Sequence, residues 1–184
     1  MSAPAIHGAG APSAWVQRFA PLVAAGGQVL DLACGRGRHS RLLAMQGCAV
    51  TAVDRDPAAL DALSAVAGVT ACRFDLEAGA AWPWAVASFD AVVVTNYLFR
   101  PGFDTLCALL RPGGVLIYET FMAGNARFGK PSNPDFLLAP GELLARTANA
   151  FTPLAFEQGE VRAPAPAMVQ RLCAIKGEAM GVIG

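Results

Sequence analysis

VLDLACGRGRHS, residues 29–40, is the stretch that decides the fold of this 184-residue chain. Its first four residues are mostly large and apolar, as in a β-strand covered on both faces. Gly35 and Gly37 interrupt this pattern, and an amphipathic segment begins at Ser40. Glycines let the backbone approach a ligand closely, and a following helix points its free N–H groups at the same place. The stretch therefore predicts a strand, a ligand-binding turn and a helix.

Composition indicates a single domain with a well-buried core. Hydrophobic residues make up 54% of the chain and charged residues 15%, and the length suits one domain. We expect a flexible N-terminal tail over residues 1–12, the domain over 13–177 and a C-terminal tail over 178–184. Lys plus Arg and Asp plus Glu number 14 each, so the chain lacks the overall basic field typical of nucleic-acid binding. No nucleic-acid partner is expected.

Cysteine usage and the N-terminus favour a cytoplasmic protein. The five cysteines are scattered without a CxxC pair, which predicts free thiols in a reducing compartment and no metal site. The N-terminus has neither a basic region nor an apolar signal segment, and no apolar run approaches the roughly 18 residues of a membrane helix. We therefore expect no membrane partner.

Strand and helix patterns alternate along the rest of the chain, which predicts a parallel sheet with helices on both faces. Further strands are predicted at 48–53, 69–74, 89–95, 115–121, 154–161 and 168–176. Helices are predicted from Ser13 to the glycine pair at 26–27, at 39–46, from Pro57 to Gly68, at 101–110 and at 141–148. Residues 111–114 (RPGG) predict a turn. Residues 122–138, rich in Gly, Asn and Pro, interrupt the alternation, and loops of this length are usually functional.

The first two helices have apolar residues at helical spacing. In the first helix, after a Ser13 cap, these are Trp15, Phe19, Leu22 and Val23. This helix either packs against the sheet or covers the ligand as a flap. The second helix is predicted to turn Leu42, Leu43 and Met45 toward the sheet.

Acidic residues follow two of the predicted strands. Asp54 lies roughly 20 residues after the glycine turn, the spacing of a ribose-binding acid in dinucleotide folds. A carboxylate there accepts both hydroxyls of a ribose; the alternative is that Asp54 only opens the next turn. Asp75 and Leu76 end the next strand, where the acid can bond an adenine amino group and the leucine can pack on its ring. That acid, too, is common in ordinary turns.

Charge near the glycine turn separates two classes of cofactor. A pyrophosphate prefers a helix N-terminus free of carboxylates, but Asp31 lies just before the turn, and there are two glycines rather than the three of GxGxxG. An acid at that place suits an ammonium or sulfonium instead. Three arginines near the turn do not distinguish the two classes, since they suit either a bound anion or a solvated helix face. They are Arg36, Arg38 and Arg41.

The ordered set of motifs resembles a known family. VLDLACGRGRHS, VTAVDRDP, FDLE, FDAVVVTNYL and LRPGGVLIYETF are similar to the successive motifs of class I S-adenosylmethionine-dependent methyltransferases, over about residues 15–176. The chain resembles in particular the small bacterial members near the tellurite-resistance and thiopurine branches. The resemblance implies an α/β, Rossmann-like three-layer sandwich with a seven-stranded, mostly parallel sheet whose last strand is antiparallel. It also implies S-adenosylmethionine as the cofactor.

The resemblance assigns cofactor contacts to particular residues. Those implied for the methionine part are Asp31, Ala33, Gly35 and Gly37. Asp54, with Arg55 beside it, is implied for the ribose, and Asp75 with Leu76 for the adenine. Asn96 and Leu98 are implied to border the methyl group.

Candidates for a role in catalysis are fewer, because methyl transfer depends mainly on positioning and water exclusion. An acceptor with an acidic proton requires a base, for which Tyr97 and Glu119 are candidates. Arg100 or Lys130 would orient an anionic acceptor. Alternatively, Glu119 is a structural partner of a loop and Tyr97 simply covers the cofactor. Cys34 either has a lowered thiol pKa at a helix N-terminus or is merely a small residue that fits the turn.

The leading hypothesis is an enzyme that transfers a methyl group from S-adenosylmethionine to a small-molecule acceptor. One alternative is a non-catalytic, methyltransferase-like module that binds the cofactor or serves a regulatory role. A less favoured alternative is an NAD(P)-dependent oxidoreductase.

Overall fold

A computed structural model describes residues 10–178, which form a seven-stranded sheet flanked by helices. The strands are β1 Gln28–Leu32, β2 Ala49–Asp54, β3 Val69–Arg73, β4 Phe89–Thr95, β5 Leu110–Phe121, β6 Phe151–Val161 and β7 Ala167–Lys176. Their spatial order is β3-β2-β1-β4-β5-β7-β6. The pairs among β1 to β5 are parallel, and β7 is antiparallel to both β5 and β6. The predicted fold class is confirmed, including the antiparallel last strand.

Helices cover both faces of the sheet. The α-helices are α1 Ala14–Phe19, α2 Arg38–Met45, α3 Pro57–Asp61, α4 Phe103–Leu109 and α5 Glu142–Thr147. One apolar cluster joins α1 and α2 to β1, β4 and β5, and a smaller one joins α3 to β2 on the same face. The cluster on the opposite face contains α4 and α5. The central strands are buried from both sides, which explains their continuous apolar sequence.

Two predicted core residues of the first helices lie outside the core. Leu22 is 48% exposed because α1 ends at Phe19 and the chain tightens into a 3-10 helix, Ala20–Leu22, that contains a proline. Met45 is 87% exposed. Leu43 occupies the sheet side of α2, and a residue two positions further along is about 200° around the helix. The third helix also ends earlier than predicted, at Asp61, although Leu63 is fully buried after it.

Residues 111–114 form a bulge within β5 rather than a turn before it. Phe89 pairs with Leu110, but Ala91 pairs with Val115, so the intervening residues of β5 are displaced from the ladder. Gly113 adopts a φ of +78° there. Regular pairing of β5 with β4 then runs from Val115 to Glu119.

The long segment 122–138 is closed at its base. Met122 and Leu138 form a β-bridge, and two short 3-10 helices, Asn125–Arg127 and Pro134–Phe136, lie between them. The buried Asn125 amide donates to the carbonyl of Pro131, and its oxygen accepts the N–H of Met168. The segment is therefore an ordered part of the domain.

Most of the two predicted tails, residues 1–9 and 179–184, lies outside the described residues. Within residues 10–178, no helix is long and apolar enough to cross a membrane. All five cysteines are free thiols.

Candidate cofactor and acceptor site

The turn between β1 and α2 has a left-handed backbone at three positions. Ala33, Gly35 and Gly37 have φ values of +52°, +54° and +72°. The N–H of Cys34 donates to the carbonyl of Val53 over 2.9 Å, which ties the turn to the end of β2. A left-handed alanine costs about 1–2 kcal/mol, and such strain persists where the surrounding structure enforces it, often at functional sites.

Asp31 is fully buried at the end of β1 and is only half satisfied. Its Oδ2 accepts the hydroxyl of Ser40 over 2.5 Å, whereas its Oδ1 is buried with no hydrogen-bond partner among the described residues. Burial raises the pKa of Asp31 to about 6. A buried carboxylate oxygen without a partner is costly unless a cationic donor binds to it. The site thus fits a ligand that carries an ammonium group.

Asp54 joins the glycine turn to the start of α3. Its Oδ2 accepts the N–H of Gly35 over 2.8 Å and its Oδ1 accepts the N–H of Asp56 over 3.0 Å. Asp56 in turn caps α3 through the N–H of Ala58. Each carboxylate oxygen retains a lone pair for a further donor. The geometry is therefore compatible with Asp54 as a ribose-binding acid and as a residue that opens the next turn. Arg55 beside it is exposed.

Asp75 and Leu76 differ in exposure. Asp75 is exposed, and its Oδ1 accepts the N–H of Glu77 over 3.0 Å. Leu76 is 6% exposed and belongs to the core, while its carbonyl accepts the indole N–H of Trp82 over 3.2 Å. Trp82 also packs against Trp84. Asp75 is thus accessible to a ligand, whereas Leu76 is largely covered.

A cavity of about 430 Å³ lies where β4 and β5 end. It is lined by Glu77, Asn96, Tyr97, Leu98, Thr120, Phe121, Lys130, Pro131, Ser132, Asn133 and Phe136. Asn96 has a left-handed φ of +55°, and its N–H donates to the carbonyl of Glu119. The structure therefore brings together Asn96, Tyr97, Leu98 and Lys130, with part of the segment 122–138 as a wall.

Tyr97 lines this cavity. Its hydroxyl is buried without a hydrogen-bond partner among the described residues. Burial, and then the negative charge of Glu77, raise the pKa of Tyr97 above its ordinary value. The hydroxyl is therefore protonated at neutral pH and suits hydrogen-bond donation better than proton abstraction.

Glu119 lies away from the lining of the cavity. It is 7% exposed on β5, accepts the hydroxyl of Ser13 over 2.8 Å and forms an ion pair with Arg171 at an N–O distance of 2.5 Å. Arg171 is its cross-strand neighbour on β7. This arrangement favours the structural interpretation of Glu119, as a partner of the segment that leads into α1.

Arg100 is hydrogen-bonded to the first residue of α5 and to the loop that leads into this helix. Its guanidinium donates to both carboxylate oxygens of Glu142 at 2.8 and 2.9 Å, and to the carbonyls of Asp135 and Leu137. The hydrogen bond from Arg100 is the main reason why the pKa of Glu142 is lowered to about 2. Arg100 therefore holds a loop, which leaves Lys130 as the predicted cation that lines the cavity.

His39 is a buried polar residue of the site that sequence reasoning missed. It is 1% exposed; its Nε2 accepts the N–H of Ser13 over 3.1 Å, and its Nδ1 lies 3.3 Å from the hydroxyl of Thr95. Because Nε2 accepts, we assign the proton to Nδ1. Burial lowers the pKa of His39 to about 3. Its place two residues after Gly37, at the start of the helix, was the available signal.

The N-terminal segment fits the simpler of its two interpretations. Trp15 and Val16 of α1 are buried against the sheet, so α1 is a packed helix and not a flap. The segment just before it contacts α2, where Arg38 donates to the carbonyl of Ala11. Arg41 donates to the carbonyl of Ala62.

The remaining polar candidates do not add reactive chemistry. Burial raises the pKa of the Cys34 thiol, and the side chain is 5% exposed, so Cys34 is a small buried residue of the turn. Within residues 10–178, no group of three or more His, Cys, Asp or Glu side chains is placed to hold a metal ion.

Comparison with known proteins agrees with this geometry. Residues 29–114 match the sequence family described as a methyltransferase domain. A ubiquinone biosynthesis O-methyltransferase of Methylocella silvestris is 34% identical over 110 residues, which cover 56% of this chain and 43% of that protein. The chain thus matches less than half the length of this curated relative.

Solved structures show the same fold. TehB from Haemophilus influenzae superposes with a TM-score of 0.74 at 20% identity, covering 90% of this chain and 63% of that one. A SAM-dependent methyltransferase from Aquifex aeolicus gives a TM-score of 0.66 at 12% identity, covering 89% and 90% of the two chains.

The fold is therefore Rossmann-like, and the part of the chain that holds the glycine turn matches a methyltransferase domain. Its fold is that of solved S-adenosylmethionine-dependent methyltransferases, as the motifs predicted. S-adenosylmethionine is the cofactor of this class.

Proposed function

We propose that this chain transfers a methyl group from S-adenosylmethionine to a small-molecule acceptor. The observation that carries the proposal is the unpartnered, buried Oδ1 of Asp31 beside the glycine turn, in a domain whose 430 Å³ cavity opens at the neighbouring strand ends. An ammonium group satisfies that oxygen, and S-adenosylmethionine carries one on its methionine part. A pyrophosphate, by contrast, would be repelled by the carboxylate.

The cofactor contacts that we propose follow the strand ends in order. Asp31, Ala33, Gly35 and Gly37 hold the methionine part. Asp54, assisted by Arg55, holds the ribose, because its oxygens keep lone pairs beyond their two backbone bonds.

The adenine and the methyl group lie along the next strand ends. Asp75, which is exposed, binds the adenine amino group, and Leu76 borders the ring. Asn96 and Leu98, at the end of β4, border the methyl group and face the cavity.

When bound, the cofactor supplies a methyl group on a sulfonium that is open to in-line displacement. The protein's part is to position the acceptor and to exclude water. The protonated hydroxyl of Tyr97 donates a hydrogen bond at the edge of the cavity. Lys130 supplies positive charge, and the segment 130–136 walls the acceptor in.

Turnover tests the proposal. We expect the purified chain to release S-adenosylhomocysteine from S-adenosylmethionine when it is given a metabolite panel that includes oxygen, nitrogen and sulfur acceptors. An Asp54→Ala variant loses turnover, whereas Asp61→Asn, which removes an exposed carboxylate on α3, keeps it. A folded chain that binds the cofactor but turns over no member of the panel would instead be the non-catalytic module.

A further inference from the structure

Charge is unevenly distributed along the wall of the cavity. Among the lining residues, all within the described part of the chain, Lys130 carries the one positive charge and Glu77 the one negative charge. Glu77 acts electrostatically on Tyr97 and follows Asp75, so it belongs to the end of the cavity nearer the proposed adenine site. Lys130 belongs to the wall formed by the segment 122–138, together with the polar side chains of Ser132 and Asn133. That wall therefore suits an anion.

The same cavity has aromatic walls. Phe121, at the end of β5, and Phe136, on the loop, both line it, as does Tyr97. Phe136 is 53% exposed, although a ring of that size is usually covered. Aromatic side chains bind flat aromatic ligands well, because rings stack or meet edge to face.

The backbone that carries the exposed ring is held in place. Arg100 donates to the carbonyls of Asp135 and Leu137, which flank Phe136 on both sides. Glu142 anchors Arg100 and also accepts the N–H of Ala139, so both ends of this piece of loop are fixed to α5. An exposed ring on a backbone anchored in this way offers a ligand an aromatic surface at a defined position.

We propose that the acceptor is a planar aromatic molecule that bears an anionic group. This inference rests on the proposed function and deepens it. The ring lies between Phe121 and Phe136, and the anionic group lies against the ammonium of Lys130, with the amide of Asn133 as a further donor. Arg100 is a positioning residue that keeps Phe136 at the mouth of the cavity.

A matched pair of ligands tests the proposal by binding alone. 2-Naphthoate and 2-naphthamide have nearly the same size and shape and differ in charge. Ligand-observed NMR titrations are run with and without saturating S-adenosylhomocysteine. We expect naphthoate to bind about fivefold more tightly than naphthamide, since one partly exposed charge pair contributes an effect of this order. Lys130→Gln abolishes the difference.

Two control variants separate local from general effects. Arg127→Gln removes a cation of the same loop that pairs with Glu160 and does not line the cavity, and it leaves the preference unchanged. Phe136→Ala weakens both ligands about tenfold. Leu154→Ala removes another exposed apolar side chain, on β6, and weakens neither.

Equal binding of the two ligands, or a preference that survives Lys130→Gln, overturns the anionic part of the proposal. Unchanged affinities in Phe136→Ala overturn the aromatic part. Failure of the proposed function is seen separately, as absence of S-adenosylhomocysteine binding in calorimetry. The titrations without that ligand still test the cavity in that case.

Discussion

Replacing Gly37 by alanine perturbs the glycine turn at the point where it meets the core. A Cβ at this position would lie 2.8 Å from the Cγ of Leu63 and closer still to its methyl groups. Leu63 is fully buried, so its side chain has little room to move. Overpacking of this kind costs roughly 1–3 kcal/mol, and the left-handed backbone at φ +72° costs alanine roughly 1–2 kcal/mol more. We expect Gly37→Ala to lower the free energy of unfolding by roughly 2–5 kcal/mol in total.

Gly26→Ala is the matched control, because it measures the cost of placing alanine in a left-handed backbone without the steric clash. Gly26 has a similar φ of +81°, but a Cβ there would meet nothing within 4 Å. We expect it to cost only about 1–2 kcal/mol. Urea unfolding followed by circular dichroism measures both variants. If Gly37→Ala is no more destabilising than Gly26→Ala, the close packing of Leu63 under the turn is refuted.

Three further predictions concern charged and titratable groups. Burial raises the pKa of Asp31 from 3.8 to about 6. The free energy of unfolding of the ligand-free chain should therefore fall by about 3 kcal/mol as pH rises from about 4 to 6. In urea titrations at several pH values, Asp31→Asn should remove this loss. His39 gives the opposite dependence of stability on pH, because its pKa is lowered from 6.5 to about 3. Its contribution to the free energy of unfolding is present above pH 6.5 and is lost as pH falls toward 3. A His39→Gln variant whose stability keeps the same acid dependence would contradict its burial as a neutral ring. Arg100→Gln removes hydrogen bonds to Glu142 and to two backbone carbonyls. It should lower the free energy of unfolding by roughly 1.5–3 kcal/mol and speed amide hydrogen exchange in residues 134–142. Unchanged exchange there would show that Arg100 does not hold the loop.

Much of the sheet could be predicted from local sequence. The apolar run of β4 has the observed limits, 89–95, because a strand buried on both faces needs no partner information to be recognised. The order of motifs also located the glycine turn and the acids at the ends of β2 and β3. Local chemistry, namely glycine, proline and acidic residues at strand ends, was sufficient for these features.

Other features depend on contacts between distant residues. The pairing of Glu119 with Arg171 follows from the register of β5 against β7, which the sequence does not display. The engagement of Arg100 with Glu142 likewise requires α5 to lie beside the end of β4. Both residues are charged and close to a motif, so from sequence alone they were indistinguishable from ligand-binding groups.

The RPGG bulge shows a related limit. Proline and glycine indicate that the chain departs from regular structure, but they do not indicate whether it turns away or rejoins the same strand. Here Leu110 pairs with Phe89 before the irregularity, which makes it a bulge.

Calorimetric titration of the folded chain with S-adenosylmethionine, with NADH as a competing ligand, tests the central claim most directly. We predict one-to-one binding in the micromolar range that S-adenosylhomocysteine displaces and NADH does not. A folded chain that gives no binding heat with S-adenosylmethionine, or from which NADH displaces it, would contradict the assignment of the turn at Asp31 to this cofactor.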